Sequence, residues 1–314
     1  MKVVALAGGV GGAKLAAGLQ DALPDGDLTV VVNTADDFDL WGLRICPDLD
    51  TVMYTLSDFA NPVTGWGVRK ESFNSLGMIS LYGEDCWFKL GDRDLATHVL
   101  RTNRLREGSS LTDVTAGLSK ALGVRGRILP MCDEPVATVL DTQEGPMEFQ
   151  EYFVRRGQKD EVRGVELRGI EDARITTAAE EAVASADLIA LCPSNPVVSI
   201  GPVLAVPGIR KTLEAASAPK VAVSPIVGGR ALKGPADRML ASLGHESSAT
   251  GVARIYEGLV DGMVVDLVDE GERAGIEALG MRVLVTQTVM SEPEDRTSLA
   301  REVLDFGAKL AERS

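Results

Sequence analysis

The sequence predicts an α/β protein, a Rossmann-like three-layer sandwich around a mostly parallel sheet. Short runs of Val, Leu and Ala alternate with segments of helical apolar spacing, and the first such run stops at a glycine cluster. Apolar residues make up 45% of the chain and aromatic residues only 4%. Strands buried on both faces read as nearly continuous aliphatic runs, and Ala- and Leu-rich helices cover them. A chain of 314 residues can hold one sizeable domain with an insertion.

Lys2 to Ala7 is the first aliphatic run and ends at Gly8-Gly9-Val10-Gly11-Gly12. Apolar positions recur at helical spacing from Ala13 to Leu23, a Pro-Asp-Gly-Asp turn follows, and Leu28 to Val32 is a second buried-type strand. Strand, glycine loop, helix and strand make a βαβ opening. Residues 33–94 have little periodicity and are rich in Asp, Gly, Trp and Pro; an irregular, functional segment is expected there.

Helices are predicted near Leu95–Arg106 and Leu111–Leu122, the second opened by Ser110 with Asp113 as a capping pair. Residues 126–172 read as a small β-rich insertion with strands at Ala137–Leu140, Glu148–Val154 and Val162–Leu167. Alternation returns from Ala173, with strands at Leu188–Cys192, Val221–Ile226, Met263–Leu267 and Val283–Thr286. The last helix is predicted to begin near Glu292, with Ser291 and Glu294 as its capping box and Pro293 in its first turn. The nucleotide-binding core is then 1–125 with 173–314.

The formal net charge of −14 disfavours nucleic acid and anionic membranes as partners. No apolar run is long enough to span a bilayer. With an aliphatic run directly at its start, the sequence is expected to carry no signal or transit segment. Cys46, Cys86, Cys132 and Cys192 stand far apart, without the pairing of a zinc site or a disulfide scaffold. A cytoplasmic protein acting on small molecules is expected. An anionic substrate would need local cations, a metal or backbone amides, and Arg44, Arg69, Lys70, Arg93, Arg101, Arg104 and Arg106 fall in or near the unusual stretches of the first half.

The glycine loop suits a phosphate, because glycine lets the backbone approach and a helix N-terminus offers free amides. It is not the usual dinucleotide fingerprint, which would need glycine at Lys14, nor a P-loop, which would need Gly at Ala13 and Ser or Thr at Leu15. A tight turn with close helix packing is the lesser alternative. Asp36, Asp37, Asp48 and Asp50 are clustered hard-oxygen ligands suited to Mg²⁺, which is held by one or two carboxylates and substrate phosphate oxygens. Asp48 and Asp50 could instead cap a helix starting near Thr51. Asp94 and His98 stand four apart at the start of a helix and could share one face.

Two later loops follow predicted strand ends, where ligands bind in open α/β sheets. One offers Ser194 and Asn195, which can bond a nucleobase or phosphate. The other offers Gly228, Gly229, Arg230 and Lys233 to an anion.

With these residues in view, the chain resembles the 2-phospho-L-lactate transferase family of coenzyme F-420 biosynthesis over essentially its whole length. The resemblance rests on GGVGGAK at Gly8–Lys14, ICPDLDTVMYTL at Ile45–Leu56 and WFKLGDRDLATH at Trp87–His98. It rests also on CPSNPVVSIGPVLAVPGIR at Cys192–Arg210 and SPIVGGRALKGPADRM at Ser224–Met239. It implies transfer of a phospholactyl or phosphoenolpyruvyl group from a guanosine diphospho donor to the terminal hydroxyl of the deazaflavin Fo, with GMP leaving. It further implies Mg²⁺ and a homodimer.

On this reading Asp37, Asp48 and Asp50 hold the metal, with Asp36, Asp37 and Asp50 catalytic. Gly8, Gly9, Gly11, Gly12, Lys14, Ser194, Asn195, Gly228, Gly229 and Lys233 hold the nucleotide and its phosphates. Thr34, Phe38, Trp41, Trp87, Asp94 and His98 surround the deazaflavin, with Trp66 a further aromatic candidate. A related nucleotide-sugar-binding regulatory protein of carbon or cell-wall metabolism is the nearest alternative. An NAD(P)-dependent oxidoreductase is a second, against which the broken fingerprint counts.

Overall fold

A computed structural model describes residues 1–312, so the last two residues of the predicted core segment lie outside it. Seven strands form one sheet: β1 (Val3–Ala7), β2 (Leu28–Val32), β3 (Arg127–Pro130), β4 (Leu188–Leu191), β5 (Lys220–Val223), β6 (Gly262–Asp266) and β7 (Arg282–Thr286). Their order is β7-β6-β5-β4-β1-β2-β3, and every pairing is parallel. In register, Val3 faces Leu28 on one side and Leu188 on the other. β1, β2, β4 and β6 are buried along their whole length, as strands covered on both faces must be.

Two apolar layers flank the sheet. One carries α1 (Gly9–Ala22), α2 (Pro47–Leu56) and the C-terminal helix Pro293–Ala311 through Leu15, Leu49, Val52, Leu299 and Val303. The other carries Ala179, Val183, Ile200, Val203, Leu240 and Val252 from helices of the second half. A separate three-stranded antiparallel sheet, Ala137–Thr142 between Gly145–Glu148 and Val162–Arg168, covers part of the second face. No helix among the described residues is long and apolar enough to cross a membrane.

The structure departs from the sequence reading in six places. α1 begins at Gly9 rather than Ala13, because a first turn built of Gly and Val has no side-chain pattern to reveal it. The irregular segment 33–94 contains real elements. A hairpin joins Phe38–Leu40 to Leu43–Ile45 through Trp41 and Gly42, whose φ of 50° and 74° are the positive values a two-residue hairpin turn requires. After it come α2 and α3 (Asn74–Leu81), and then α4 (Asp92–Arg106).

The predicted strand Glu148–Val154 is instead the end of one strand and a π-helical turn, Glu151–Arg155. Phe149 and Tyr152 are buried three apart, and Phe149 stacks on Phe153 at 5.4 Å, which is helical spacing. The predicted strand Val221–Ile226 breaks at Pro225, which cannot donate to a ladder; Ile226–Val227 pairs instead with Arg230–Ala231. The C-terminal helix is capped one residue later than predicted, by Glu292 with Asp295. The strand Arg127–Pro130, read with the insertion, pairs with β2 and belongs to the central sheet. Ser110 does cap its helix, α5 (Leu111–Ala121), by accepting the Asp113 N–H at 3.0 Å.

Candidate active site

The chain leaves the sheet in opposite directions from β1 and β4, which lie side by side. Ligands of open α/β sheets bind at such a switch point, outside the carboxyl ends of the strands. The two loops leaving it are fastened together. The Ser194 hydroxyl accepts the Gly8 N–H at 3.0 Å and donates to the Gly8 carbonyl at 2.7 Å. A Cβ at Gly11 would overlap the Pro193 carbonyl, and one at Gly12 the Ser194 hydroxyl. The glycines therefore let two loops approach as well as opening α1.

The other expected phosphate-binding residues converge only in part. Lys14 donates to the Met290 carbonyl, and burial, then Arg296 and Lys233, lower its pKa. Lys233 donates to the Thr64 carbonyl at 3.0 Å. Lys14, Lys233 and Arg296 thus gather near the first turns of α1, and Arg296 escaped the sequence reading for want of any motif around it. Asn195 turns its own loop, accepting the Val197 N–H at 2.9 Å. The Gly228 N–H is occupied by Asp269 at 3.0 Å, while Gly229 (φ 77°) shapes the hairpin.

Beside the glycine turn lie the four acids. Asp36 and Asp37 follow β2; Asp48 and Asp50 occupy the first turn of α2, behind Pro47, where the helix dipole favours carboxylates. They are 4%, 5%, 8% and 5% exposed. Asn33 bridges two of them, its amide donating to Asp36 at 3.1 Å and to Asp48 at 3.0 Å. Asp48 also meets the backbone of Gly9.

Burial, and then the charge of Asp48, pushes Asp36 well above the ordinary carboxylate range. Burial pushes Asp48 up to about 6, against the hydrogen bonds from Asn33 and Gly9. Burial takes Asp37 to about 7, against the pull of Arg44, whose guanidinium stands 3.8 Å away. One Asp36 oxygen and both Asp37 oxygens are buried without a well-formed hydrogen bond among the described residues, although Thr138 and Cys46 approach them. Such oxygens must carry a proton or meet a cation.

Asp50 is different. Arg101 grips both its oxygens, Nη1 to Oδ2 at 3.0 Å and Nη2 to Oδ1. His98 Nδ1 lies 3.2 Å from Arg101 Nη1, and His98 Nε2 lies 3.3 Å from Asp94, so the expected shared face is present. Tyr54 donates to Asp94 at 2.8 Å. Asp50, Asp94 and His98 have ligand atoms within 4.8 Å of one another, the one such group among the described residues, yet Arg101 already sits in it. No motif announced Arg101, which the sequence places only among the basic residues in or near the unusual stretches of the first half.

Phe38, Trp87 and Phe88 form an aromatic knot with centroids 5.0–5.7 Å apart, and Trp41 packs on it. Phe88 was not anticipated. Trp66 stands apart from this knot on a loop, 46% exposed. Thr34 is buried, its hydroxyl without a well-formed hydrogen bond among the described residues, although Cys132 approaches it.

With this geometry in hand, comparison with known proteins is decisive. The family model of CofD, 2-phospho-L-lactate transferase, matches residues 3–287. The chain belongs to this family. It is 44% identical over 316 residues to the phosphoenolpyruvate transferase of Streptomyces griseus, covering 99% of each chain. It is 40% identical over 302 residues to the 2-phospho-L-lactate transferase of Methanosarcina mazei, covering 96% of this chain and 99% of that one. The fold recurs in a UPF0052-family protein of Bacillus halodurans, with a TM-score of 0.67 at 18% identity, covering 96% of this chain and 98% of that one. The CofD-family chain is accordingly a 2-phospho-L-lactate transferase-type enzyme of coenzyme F-420 biosynthesis.

Proposed function

We propose that this enzyme joins the deazaflavin Fo to a phosphorylated three-carbon acid carried by a guanosine diphospho donor. The oxygen of the terminal hydroxyl of Fo bonds to the phosphorus next to the acid, the bond from that phosphorus to the bridging oxygen breaks, and GMP leaves. An enolpyruvyl donor is the first to try, because relatives matched at full length bear the name phosphoenolpyruvate transferase; a lactyl donor is the second.

The observation that carries this reading is the set of buried, partly unpartnered carboxyls beside the glycine turn. Near this group four acids face two arginines, Arg44 and Arg101. The donors are all oxygen and adjoin a turn able to receive phosphate oxygens, so they fit Mg²⁺. Asp37 and Asp48 would hold the ion, whereas Asp50, expected as a third ligand, has both oxygens engaged by Arg101. When bound, the ion would neutralise charge on the diphosphate. Asp36, whose affinity for a proton is raised by burial and by Asp48, would take up the hydroxyl proton. The glycine turn with Lys14 and Lys233 would bind the diphosphate, Asn195 and the Gly228–Gly229 hairpin the nucleoside. The knot of Phe38, Trp87 and Phe88, with Trp41, would support the flat ring near Thr34, Asp94 and His98. A homodimer acting in the cytoplasm completes the proposal; exposed Met78, Leu81 and Tyr82 offer an apolar surface for a second copy.

The test is Asp37→Asn, assayed for coupling of Fo to each donor at saturating Mg²⁺. Loss of a group aimed at developing charge costs roughly 100-fold or more in turnover. Wild-type turnover in this variant would remove the acid group from the reaction.

A further inference from the structure

We propose that Arg101 is a positioning residue of the acid group: it fixes Asp50 through a two-point ion pair and ties it, through His98, to Asp94. The inference rests on the reading above that the acids are the reaction centre.

Arg101 is 1% exposed, a full charge deep in the protein. Its guanidinium holds both Asp50 oxygens, touches His98 Nδ1 at 3.2 Å and reaches the Arg44 carbonyl at 3.4 Å. Asp94, His98 and Arg101 follow at intervals of four and three along α4, so one helix face presents all three to α2. Tyr54, on α2, returns the contact by donating to Asp94. Tyr54–Asp94 and His98–Arg101–Asp50 thus link the two helices, and His98 Nε2, 3.3 Å from Asp94 without a well-formed hydrogen bond, brings the two links together.

Stability alone is a poor reason for this arrangement. A buried ion pair rarely outweighs its desolvation, and an apolar pair of similar volume commonly does as well. What the pair supplies is direction. A guanidinium presents a rigid fork that a lysine cannot imitate, and with both oxygens taken Asp50 can neither rotate nor fold onto the neighbouring acid. The oxygens without a well-formed hydrogen bond are then those of Asp37, with Arg44 3.8 Å away, and one of Asp36. The start of α4 is anchored in turn: Glu71 accepts the N–H groups of Arg93 at 2.8 Å and of Asp94 at 3.0 Å. The fork therefore stands on a fixed support.

The experiment compares wild type, Arg101→Lys and Asp37→Asn in three measurements: thermal melting, Mn²⁺ affinity by electron paramagnetic resonance, and kcat with KM for Fo and donor. Arg101→Lys keeps the charge and loses the fork. A positioning role predicts a folded variant with Mn²⁺ affinity weaker by about 10- to 100-fold. It predicts kcat lower by about 100-fold, the effect of a small misplacement of reacting groups, and both KM values within about threefold of wild type. Wild-type kcat and Mn²⁺ affinity in Arg101→Lys, with Asp37→Asn inactive, overturns the proposal and leaves the site reading standing. Full activity in Asp37→Asn overturns that reading instead, and the proposal with it. Should Arg101→Lys not fold, His98→Asn cuts the tie to Asp94 and keeps the ion pair. A fall in kcat with unchanged KM for Fo supports the proposal, whereas wild-type kcat, or a rise in that KM alone, overturns it.

Discussion

Replacing Ser194 by alanine separates the two jobs its hydroxyl could do. The hydroxyl is buried, 4% of the residue being exposed, and it makes two hydrogen bonds to one residue, accepting from the Gly8 N–H at 3.0 Å and donating to its carbonyl at 2.7 Å. Alanine removes both and leaves two buried backbone groups without these partners. Each lost bond is worth about 1 kcal/mol, and each buried group left unsatisfied costs more, so roughly 2–4 kcal/mol is expected in all. In a chain of this size a kilocalorie moves the melting temperature by about 2–4 °C, which makes the expected drop roughly 4–16 °C. The assay is thermal melting by circular dichroism, paired with calorimetric titration of GDP. Since the hydroxyl proton is already given to Gly8, GDP affinity measured well below the melting point should change less than about threefold. A melting temperature within about 1 °C of wild type would refute the loop-docking argument. An unchanged melting temperature with GDP binding weaker by about 30-fold would place the hydroxyl on the nucleotide instead.

Two further predictions concern the frame of the site. The Asp92 carboxylate accepts from the Ser72 hydroxyl and from the N–H groups of Ser75 and Asn74, and these bonds hold its pKa well below the usual range. A carboxyl depressed in the folded state stabilises it above the unfolded pKa, near 4, and that stabilisation is lost as pH falls from there toward the folded value. The stability gap between wild type and Asp92→Asn, from urea unfolding, should stay level between about pH 8 and 5 and narrow below about pH 4; a gap that widens on acidification would contradict the assignment. Leu15→Ala, at a fully buried position of α1 between the sheet and the outer helices, should cost about 2–5 kcal/mol by the same unfolding assay, with m unchanged.

The sequence by itself determined the layered architecture, because two-sided burial demands unbroken aliphatic strands and one-sided burial demands helical spacing. β1, β2, β4 and β6 were legible to within a residue on those grounds. It determined also the shared face of Asp94 and His98, since spacing along a helix is a local property. It failed where local pattern and tertiary demand diverge: the glycine turn of α1 has no side chains to read, and the aromatic run after Glu148 coils although its composition suits a strand. Only the tertiary structure decided which groups meet. Ser194 reaches Gly8, 186 positions away, because β1 and β4 are neighbours in the sheet. Arg101 reaches Asp50 because α4 packs its side chains against α2, and that contact takes up both Asp50 oxygens, whereas Asp37 has only the looser approach of Arg44 at 3.8 Å. Pairing across the fold follows from strand order and helix packing, and those are fixed by the whole core at once rather than by any segment of the chain.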